Sequence, residues 1–297
     1  MSTMTAPFAP HDVHRFANYA KTAMLLAALT ALVLWVGQRL GGATGLIYAG
    51  AIVLLMNGVS YWFSDRIALT LNGAKPVTRD QLPEVYAIVE ELSSRIGIPM
   101  PKIFVIPSAA PNAFATGRNP KHAAVAVTAG ILRLLDEREL RGVLAHELSH
   151  VVNRDTLIST VAGTLAGVIS FAARSLFWFG GAALGGSREN NRRRGGGLAD
   201  VAMLLVAPVV ALLLQLAVSR SREYGADASG AALSGDPDAL ANALAKLESG
   251  IRDRQVDAAP ATSHLFIVNP FSGRAMAALF STHPPTEKRI ERLHAMR

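Results

Sequence analysis

The sequence predicts a mainly α-helical integral membrane protein: an N-terminal transmembrane hairpin, an α+β domain with a small sheet, and a second apolar helical pair inserted within that domain. Three observations lead there. Of 297 residues, 51% are hydrophobic and 17% charged, with a mean hydropathy of +0.29, which is too apolar for an ordinary soluble protein of this length. Two uncharged runs, residues 22–38 and 41–63, follow one another near the N-terminus, and two more apolar tracts, 156–173 and 198–219, lie further on. Between these pairs the apolar residues fall at the shorter helix and strand periods of a folded domain.

Residues 1–18 are read as an N-terminal tail and 19–63 as the hairpin, with spans over 19–39 and 41–63. Lys21 and Arg39 border the first uncharged run, and with Lys21 snorkelling the run reaches the roughly 20 residues a span needs. The second run ends in Tyr61, Trp62 and Phe63, the aromatic belt of an interface. A cleaved signal peptide is the other reading of the first run. Its apolar core would be shorter, and a second span would not follow at once.

Residues 64–155 read as the first part of the folded domain. Asp80 is placed as the N-cap of a helix with Val85, Ile88, Val89, Leu92 and Ile96 at helical spacing, and Gly97 and Pro99 as its stop. Residues 102–107 and 122–130 read as strands, separated by a polar, proline-containing turn. Asp136 and Glu139 form a D-x-x-E capping box that opens a helix running to about residue 155.

Residues 156–219 are read as the second apolar helical pair, interrupted by Arg174 and carrying Asp200 and Gln215. Its connection, the Gly-rich loop 185–197, holds Arg188, Arg192, Arg193 and Arg194. If all four tracts cross and the N-terminus is inside, this basic loop lies outside, against the positive-inside tendency. A pair that enters the bilayer partway, or packs on the folded domain, removes the conflict. Residues 220–297 complete the domain. The net charge of +7 and pI near 10 fit an anionic membrane surface better than nucleic acid, because the basic residues flank apolar tracts and are not interleaved with aromatics. The chain has no cysteine, which excludes disulfides and any Cys-ligated zinc.

The chemistry is concentrated in "VLAHELSHVVNRD", residues 143–155. On a helix His146 and His150 project about 40° apart, one turn removed, so two imidazoles can reach one ion. Glu147 adjoins that face, where its carboxylate can take a proton from a metal-bound water without being a ligand. An exposed polar helix face is the plainer reading. It is weakened by Val143, Leu144, Leu148, Val151 and Val152, which make the neighbourhood apolar, where polar groups need partners.

A third ligand is then required. Asn153 and Thr156 stand where H-x-x-G-x-x-H would have Gly and His, and no carboxylate lies between Asp155 and Glu189. Asp155 itself would be about 140° around a continuous helix from His150. Glu223 in "SRSREYGADASGA" is the candidate, with Asp227 four residues later on the same face to accept an imidazole N–H. The other reading of Glu223 is a solvated carboxylate paired with Arg220 or Arg222.

"NAFATG" (112–117), "LAHELSHVVNRD" (144–155), "SRSREYGADASGA" (219–231) and "STHPPTEKRI" (281–290) occur in the order of the HtpX family of heat-shock membrane proteases, which the chain resembles over nearly its whole length. These are gluzincin relatives of the CAAX prenyl endopeptidase. The basic residue near the ligand glutamate is slightly displaced, as "SRSRE", and the loop 187–194 and extended N-terminus are peculiar to this chain. The resemblance implies a zincin-like catalytic domain holding one zinc per chain, with His146, His150 and Glu223 as ligands and Glu147 as general base. It further implies a multi-pass protein of the bacterial cytoplasmic membrane with a cytosolic catalytic domain. Its substrates would be unfolded or damaged membrane proteins, in quality control and the stress response, with self-cleavage as well.

Three accessory residues are candidates for contact with substrate or oxyanion. "NAFATG" is either an edge strand that pairs with extended substrate, with Asn112 binding a substrate backbone amide, or a plain turn ended by Gly117. His283 either donates to a developing oxyanion or caps the helix that follows. Tyr224 is an alternative oxyanion donor. The chain carries no P-loop, so no nucleotide partner is expected. The rival functional class is a metal-stabilised membrane scaffold or holdase without hydrolysis, which would need His146, His150 and Glu223 but not Glu147. A transporter built on Arg174 and Asp200 is a further rival.

Overall fold

The computed structural model describes residues 12–162, 220–252, 265–268 and 284–296. The tail 1–11, the tract 163–219 with its basic loop, and His283 lie outside the described residues.

Helix α1 (Asp12–Leu71) runs through both predicted apolar runs and breaks at Gly42, where φ is 58° and ψ −138°. A side chain would be strained at this φ, which glycine adopts freely. The two limbs touch through Asn57 Nδ2, which donates to Thr30 Oγ1 at 3.0 Å across 27 residues. Apolar residues surround the helix and form no single stripe, so much of that surface faces away from the protein. Ile47 and Leu54 are 72% and 77% exposed. Gly41–Phe63 is the one helix among the described residues long and apolar enough to cross a membrane.

A mixed four-stranded sheet follows, in the order β1-β2-β4-β3, from β1 (Lys75–Pro76), β2 (Lys102–Ile106), β3 (Ala113–Thr116) and β4 (Ala124–Thr128). Strands β2 and β4 are parallel, and β3 lies antiparallel to β4 at one edge, with Ala115 opposite Val125. Of the two readings of 112–117, edge strand or plain turn within 108–120, the structure has the strand, four residues long and fully buried. Between β3 and β4 the chain turns through a 3-10 helix, Pro120–His122, so β4 begins two residues later than predicted.

Alternation along the sheet feeds two cores. Val125 and Val127 pack with Val85, Ile88 and Leu92 of α2 (Pro83–Arg95), with Leu144 and Leu148 of α4 (Glu137–Asn153), and with Leu240 and Leu244 of α6 (Pro237–Arg252). Ala124, Ala126 and Phe114 face the other way, onto Ala68 and Leu69 at the end of α1. Truncating a fully buried leucine here, such as Leu144, costs about 2–5 kcal/mol.

Two predicted helix ends shift. Helix α2 starts at Pro83 and takes Leu82 as its N-cap, without a side-chain bond from Asp80. Pro83 is pre-organised for the first turn and its missing N–H costs nothing there. Helix α4 begins with the predicted Asp136–Glu139 box but stops at Asn153, because Arg154 turns left-handed at φ 64°. Residues 155–162 then resume as a separate helix. Short helix α3 (Ala129–Leu134) precedes α4, α5 (Arg220–Ser234) packs on α4, and α7 (Thr286–His294) packs on α6 and α5.

Candidate metal centre and active site

Helices α4 and α5 pack against each other at unusually close range. A Cβ on Gly230 would lie 2.8 Å from the backbone N and Cα of His146, so only glycine fits, and the contact brings the first turns of α5 onto the histidine face of α4. Glu223 and Asp227, four residues apart, then align with His146 and His150.

The donor atoms converge. His146 Nε2 and His150 Nε2 are 3.2 Å apart, and Glu223 reaches them at 3.8 and 3.6 Å through its two oxygens. One ligand atom from each of the three residues lies within 4.8 Å of the other two. A tetrahedral zinc with bonds near 2.0–2.1 Å would set its ligand atoms roughly 3.3 Å apart, and the two-nitrogen, one-oxygen donor set is one that zinc favours. Both imidazoles turn their other nitrogen to a carboxylate. His150 Nδ1 lies 3.0 Å from Asp155 Oδ2. His146 Nδ1 lies 3.0 Å from Asp227 Oδ1, off the line of an ideal hydrogen bond. With the Nδ1 protons directed at carboxylates, each imidazole in its neutral form turns its Nε2 lone pair toward the other and Glu223. Such a cluster is built to hold a cation.

Asp155 plays no such part in the sequence reading, which set it aside on the far side of a continuous helix. The left-handed residue Arg154 breaks that helix and swings Asp155 back to His150. Its side chain is buried and also lies 3.9 Å from Arg222 Nε. Burial works against a charged His150, but the Asp155 hydrogen bond and the charges of Glu223, Asp155 and Glu147 outweigh it and raise its pKa to about 9.

Arg289 is the other residue that went unnoticed. It is 1% exposed, yet its Nε and Nη2 donate to the two oxygens of Asp227 at 2.8 and 2.7 Å, and its Nη1 to the carbonyl of Ile267 at 2.9 Å. Nη1 also lies 3.8 Å from Glu223. Burial opposes the Asp227 carboxylate, but the Arg289 charge and hydrogen bonds prevail, with His146 assisting, and lower its pKa to about 2. A signal for Arg289 existed in the sequence. It shares the inward face of α7 with Thr286 and Leu293, three residues before and four after.

Glu147 is buried beside this cluster, and its Oε2 accepts the backbone N–H of Ala115 on edge strand β3 at 2.9 Å. Burial raises its pKa; the His146 and His150 charges and the Ala115 N–H pull the other way, while Glu223 adds to the rise. A poised, raised carboxylate is what proton abstraction near neutral pH needs.

The cleft over these groups is lined by Phe114, Ala115, Thr156 and Ser159 on one side and residues 265–267 on another. Asn112 stands at its margin, with its polar atoms committed to the chain itself. Its Nδ2 donates to the Leu265 carbonyl at 3.1 Å and its Oδ1 accepts the Ile267 N–H at 3.2 Å. The structure therefore makes Asn112 the clamp of the cleft wall, where the sequence reading had it contacting substrate. Tyr224, the alternative oxyanion donor of the sequence reading, is not among the residues that line the cleft. It is about 100° around α5 from Glu223, and the Arg292 guanidinium lies 3.8 Å from its ring centroid, away from the cleft.

A profile of the family described as Peptidase family M48 matches residues 80–297. A Protease HtpX homolog of Syntrophobacter fumaroxidans is 52% identical over 280 residues, covering 93% of this chain and 98% of that protein. Another, of Pyrococcus furiosus, is 51% identical over 280 residues, covering 93% and 94%. Among solved structures, S. mikatae Ste24p aligns with 94% of this chain and 66% of its own, at a TM-score of 0.51 and 19% identity. That likeness is one of fold, and this chain spans about two thirds of the larger protein.

Proposed function

Because the chain belongs to peptidase family M48, among the HtpX proteases, we propose that it is a membrane-anchored zinc endopeptidase that hydrolyses peptide bonds of misfolded or damaged membrane proteins. The observation that carries this reading is the meeting of His146, His150 and Glu223 within 4.8 Å, flanked by Glu147 and by edge strand β3.

His146 Nε2, His150 Nε2 and a Glu223 oxygen would hold one zinc. When bound, zinc supplies Lewis acidity, which makes a water nucleophilic near neutral pH and polarises the scissile carbonyl. Asp227 and Asp155 hold the imidazole orientations through the Nδ1 atoms, and Arg289 holds Asp227. Glu147 takes the proton of the attacking water and returns it to the leaving amine. The outer edge of β3 pairs with an extended backbone, which selects unfolded chain with little regard to side chain. His283 retains its proposed part as oxyanion donor. Tyr224, beneath Arg292, does not.

The exposed apolar surface of α1 and the hydropathy of Gly41–Phe63 support anchorage in the bacterial cytoplasmic membrane. The catalytic domain would face the cytosol. Residues 155–162, which follow the site directly, open the predicted second apolar helical pair, and Thr156 and Ser159 line the cleft, which supports a reaction close to the bilayer. Soluble loops and dislodged spans of membrane proteins are then the accessible substrates, along with the chain itself.

The test uses detergent-purified protein kept in chelator and then given zinc, with unfolded casein as substrate and Glu147→Gln alongside. Expected are cleavage on zinc addition and about a 10³-fold loss in the variant, with equal zinc content by metal analysis. If both proteins bind zinc, keep their fold and cleave nothing, the scaffold reading replaces this one.

A further inference from the structure

At the far end of α1 the aromatic residues meet the turn between β3 and β4. The Arg118 guanidinium lies 4.7 Å from the centroid of the Trp62 ring, and that of Arg66 lies 5.7 Å from the Phe63 ring. Trp62 and Arg66 are four residues apart and share a helix face, so the two arginines stack on neighbouring aromatic residues at the end of the same apolar stretch. Lys121, in the same turn as Arg118, is exposed, and Asp65, half-buried, precedes Arg66 in the sequence. Tyr61, Trp62 and Phe63 are 36%, 56% and 46% exposed at the end of Gly41–Phe63, which is headgroup depth if that helix spans.

We propose that Arg118 on Trp62 and Arg66 on Phe63, with Lys121 of the Arg118 turn, form a binding site for the phosphate of anionic phospholipid headgroups, and that its occupancy steadies the edge strand that holds Glu147. The inference rests on Gly41–Phe63 lying in the bilayer. An arginine stacked on an aromatic face keeps its N–H edge available for a phosphate. The aromatic cluster continues into the exposed apolar flank of α1, which suits the acyl chains of a lipid and gives a free phosphate nothing further to hold.

The link to Glu147 is short and stiff. Gly117 sits at φ +132°, and a Cβ there would lie 2.2 Å from the His122 carbonyl oxygen, so the turn is closed tightly on itself. The His122 N–H donates to the Asn119 carbonyl at 2.9 Å, and the Thr156 hydroxyl donates to the Gly117 carbonyl at 3.0 Å. Arg118 is next in sequence to that anchored glycine, and Ala115, whose N–H holds Glu147, is three residues away. Fixing Arg118 at the headgroups therefore fixes the register of β3 beside the cleft.

The experiment uses the full chain in vesicles of phosphatidylcholine alone or with phosphatidylglycerol added. The readout is the ratio of casein cleavage rates between the two, with flotation to report membrane association. Expected is a several-fold higher rate with phosphatidylglycerol, since each basic side chain at an anionic surface contributes about fivefold in association. The ratio falls to one in Arg118→Gln/Lys121→Gln and survives in Lys121→Arg. Inorganic phosphate or glycerophosphoglycerol added to phosphatidylcholine vesicles leaves the wild-type rate unchanged; stimulation by either overturns the lipid assignment. A wild type that floats with both vesicles and shows no ratio above one, or a glutamine variant that keeps the full ratio, overturns the site alone. A chain that floats with neither overturns the span and the site together.

Discussion

Along α1, Ile47 and Leu54 stand 72% and 77% exposed, while between α4, α5 and α7 the charged residues Glu147, Asp155, Glu223, Asp227 and Arg289 are all buried. The two regions invert the usual distribution of polar and apolar groups in opposite senses. Burial within the chain gives little to the exposed limb of α1, so its stability depends on the solvent around it. The centre gains little from desolvating its charges and depends on pairing each of them. Polarity on α1 and unpairing at the centre should therefore cost about equally, for unrelated reasons.

The sharpest way to break that equivalence starts at the centre. Arg289→Met keeps the bulk and leaves Asp227 buried without its bidentate partner. Removing one member of a buried pair costs about 3–5 kcal/mol, to be read as the shift in denaturant unfolding of the detergent-solubilised protein. A change under about 1 kcal/mol would mean that the centre tolerates an unpaired carboxylate. On α1 the corresponding change is Leu54→Asp. A carboxylate at the middle of a span costs about 2.5–3.5 kcal/mol of insertion, measured as the fraction of chain that resists alkaline extraction from membranes. At an exposed site in water the same change would stay within about 0.5 kcal/mol, and that result would remove α1 from the bilayer.

The two regions also differed in how far sequence revealed them. Apolar runs are a composition signal, so the helical limbs of α1 were readable, with their break found at Gly42 and Gly41–Phe63 the one stretch among the described residues long and apolar enough to cross a membrane. Histidines at i and i+4 with Glu223 and Asp227 at i and i+4 are a periodicity signal, and the structure brings these four residues together. Contacts made where periodicity stops were not readable. Asp155 reaches His150 only because Arg154 leaves the helix, and nothing in "NRD" specifies a left-handed arginine. Residues 112–117 carry turn-like residues and little branched side chain, so their pairing with β4 comes from the two cores that bury both of its faces. The clamp from Asn112 to residues 265–267 spans about 153 positions, beyond any local pattern.

Protonation offers a finer test of the centre. In the metal-free protein His150 carries a pKa of about 9, against an ordinary 6.5, whereas a metal takes its imidazole neutral. One proton is displaced, so zinc affinity should fall about tenfold for each pH unit below 9, as titration with a competing chelator would show. The sign for folding is the reverse. A raised histidine pKa stabilises the metal-free fold fully below about pH 6.5, and that contribution is lost as pH rises through about 9. Flat zinc affinity from pH 7 to 9 would mean that His150 is neutral throughout.

The smallest expected effect separates the two roles of Asp155. Its hydrogen bond both orients the His150 ring and raises its pKa, and these act oppositely on metal binding near neutral pH. In Asp155→Asn the orienting carboxylate is lost, which lowers zinc affinity about 10–100-fold. The proton competes less, because the hydrogen bond that does most to raise the His150 pKa is gone, so the pH at which affinity levels off moves below 9. At pH 9 and above the variant should show the full orientation loss, and toward pH 7 the gap to wild type should narrow. A gap that stays constant across this range would mean that Asp155 orients His150 without tuning its basicity. One that widens toward neutral pH would mean that losing the Asp155 carboxylate raises the His150 pKa further, the opposite of the hydrogen bond's assigned effect.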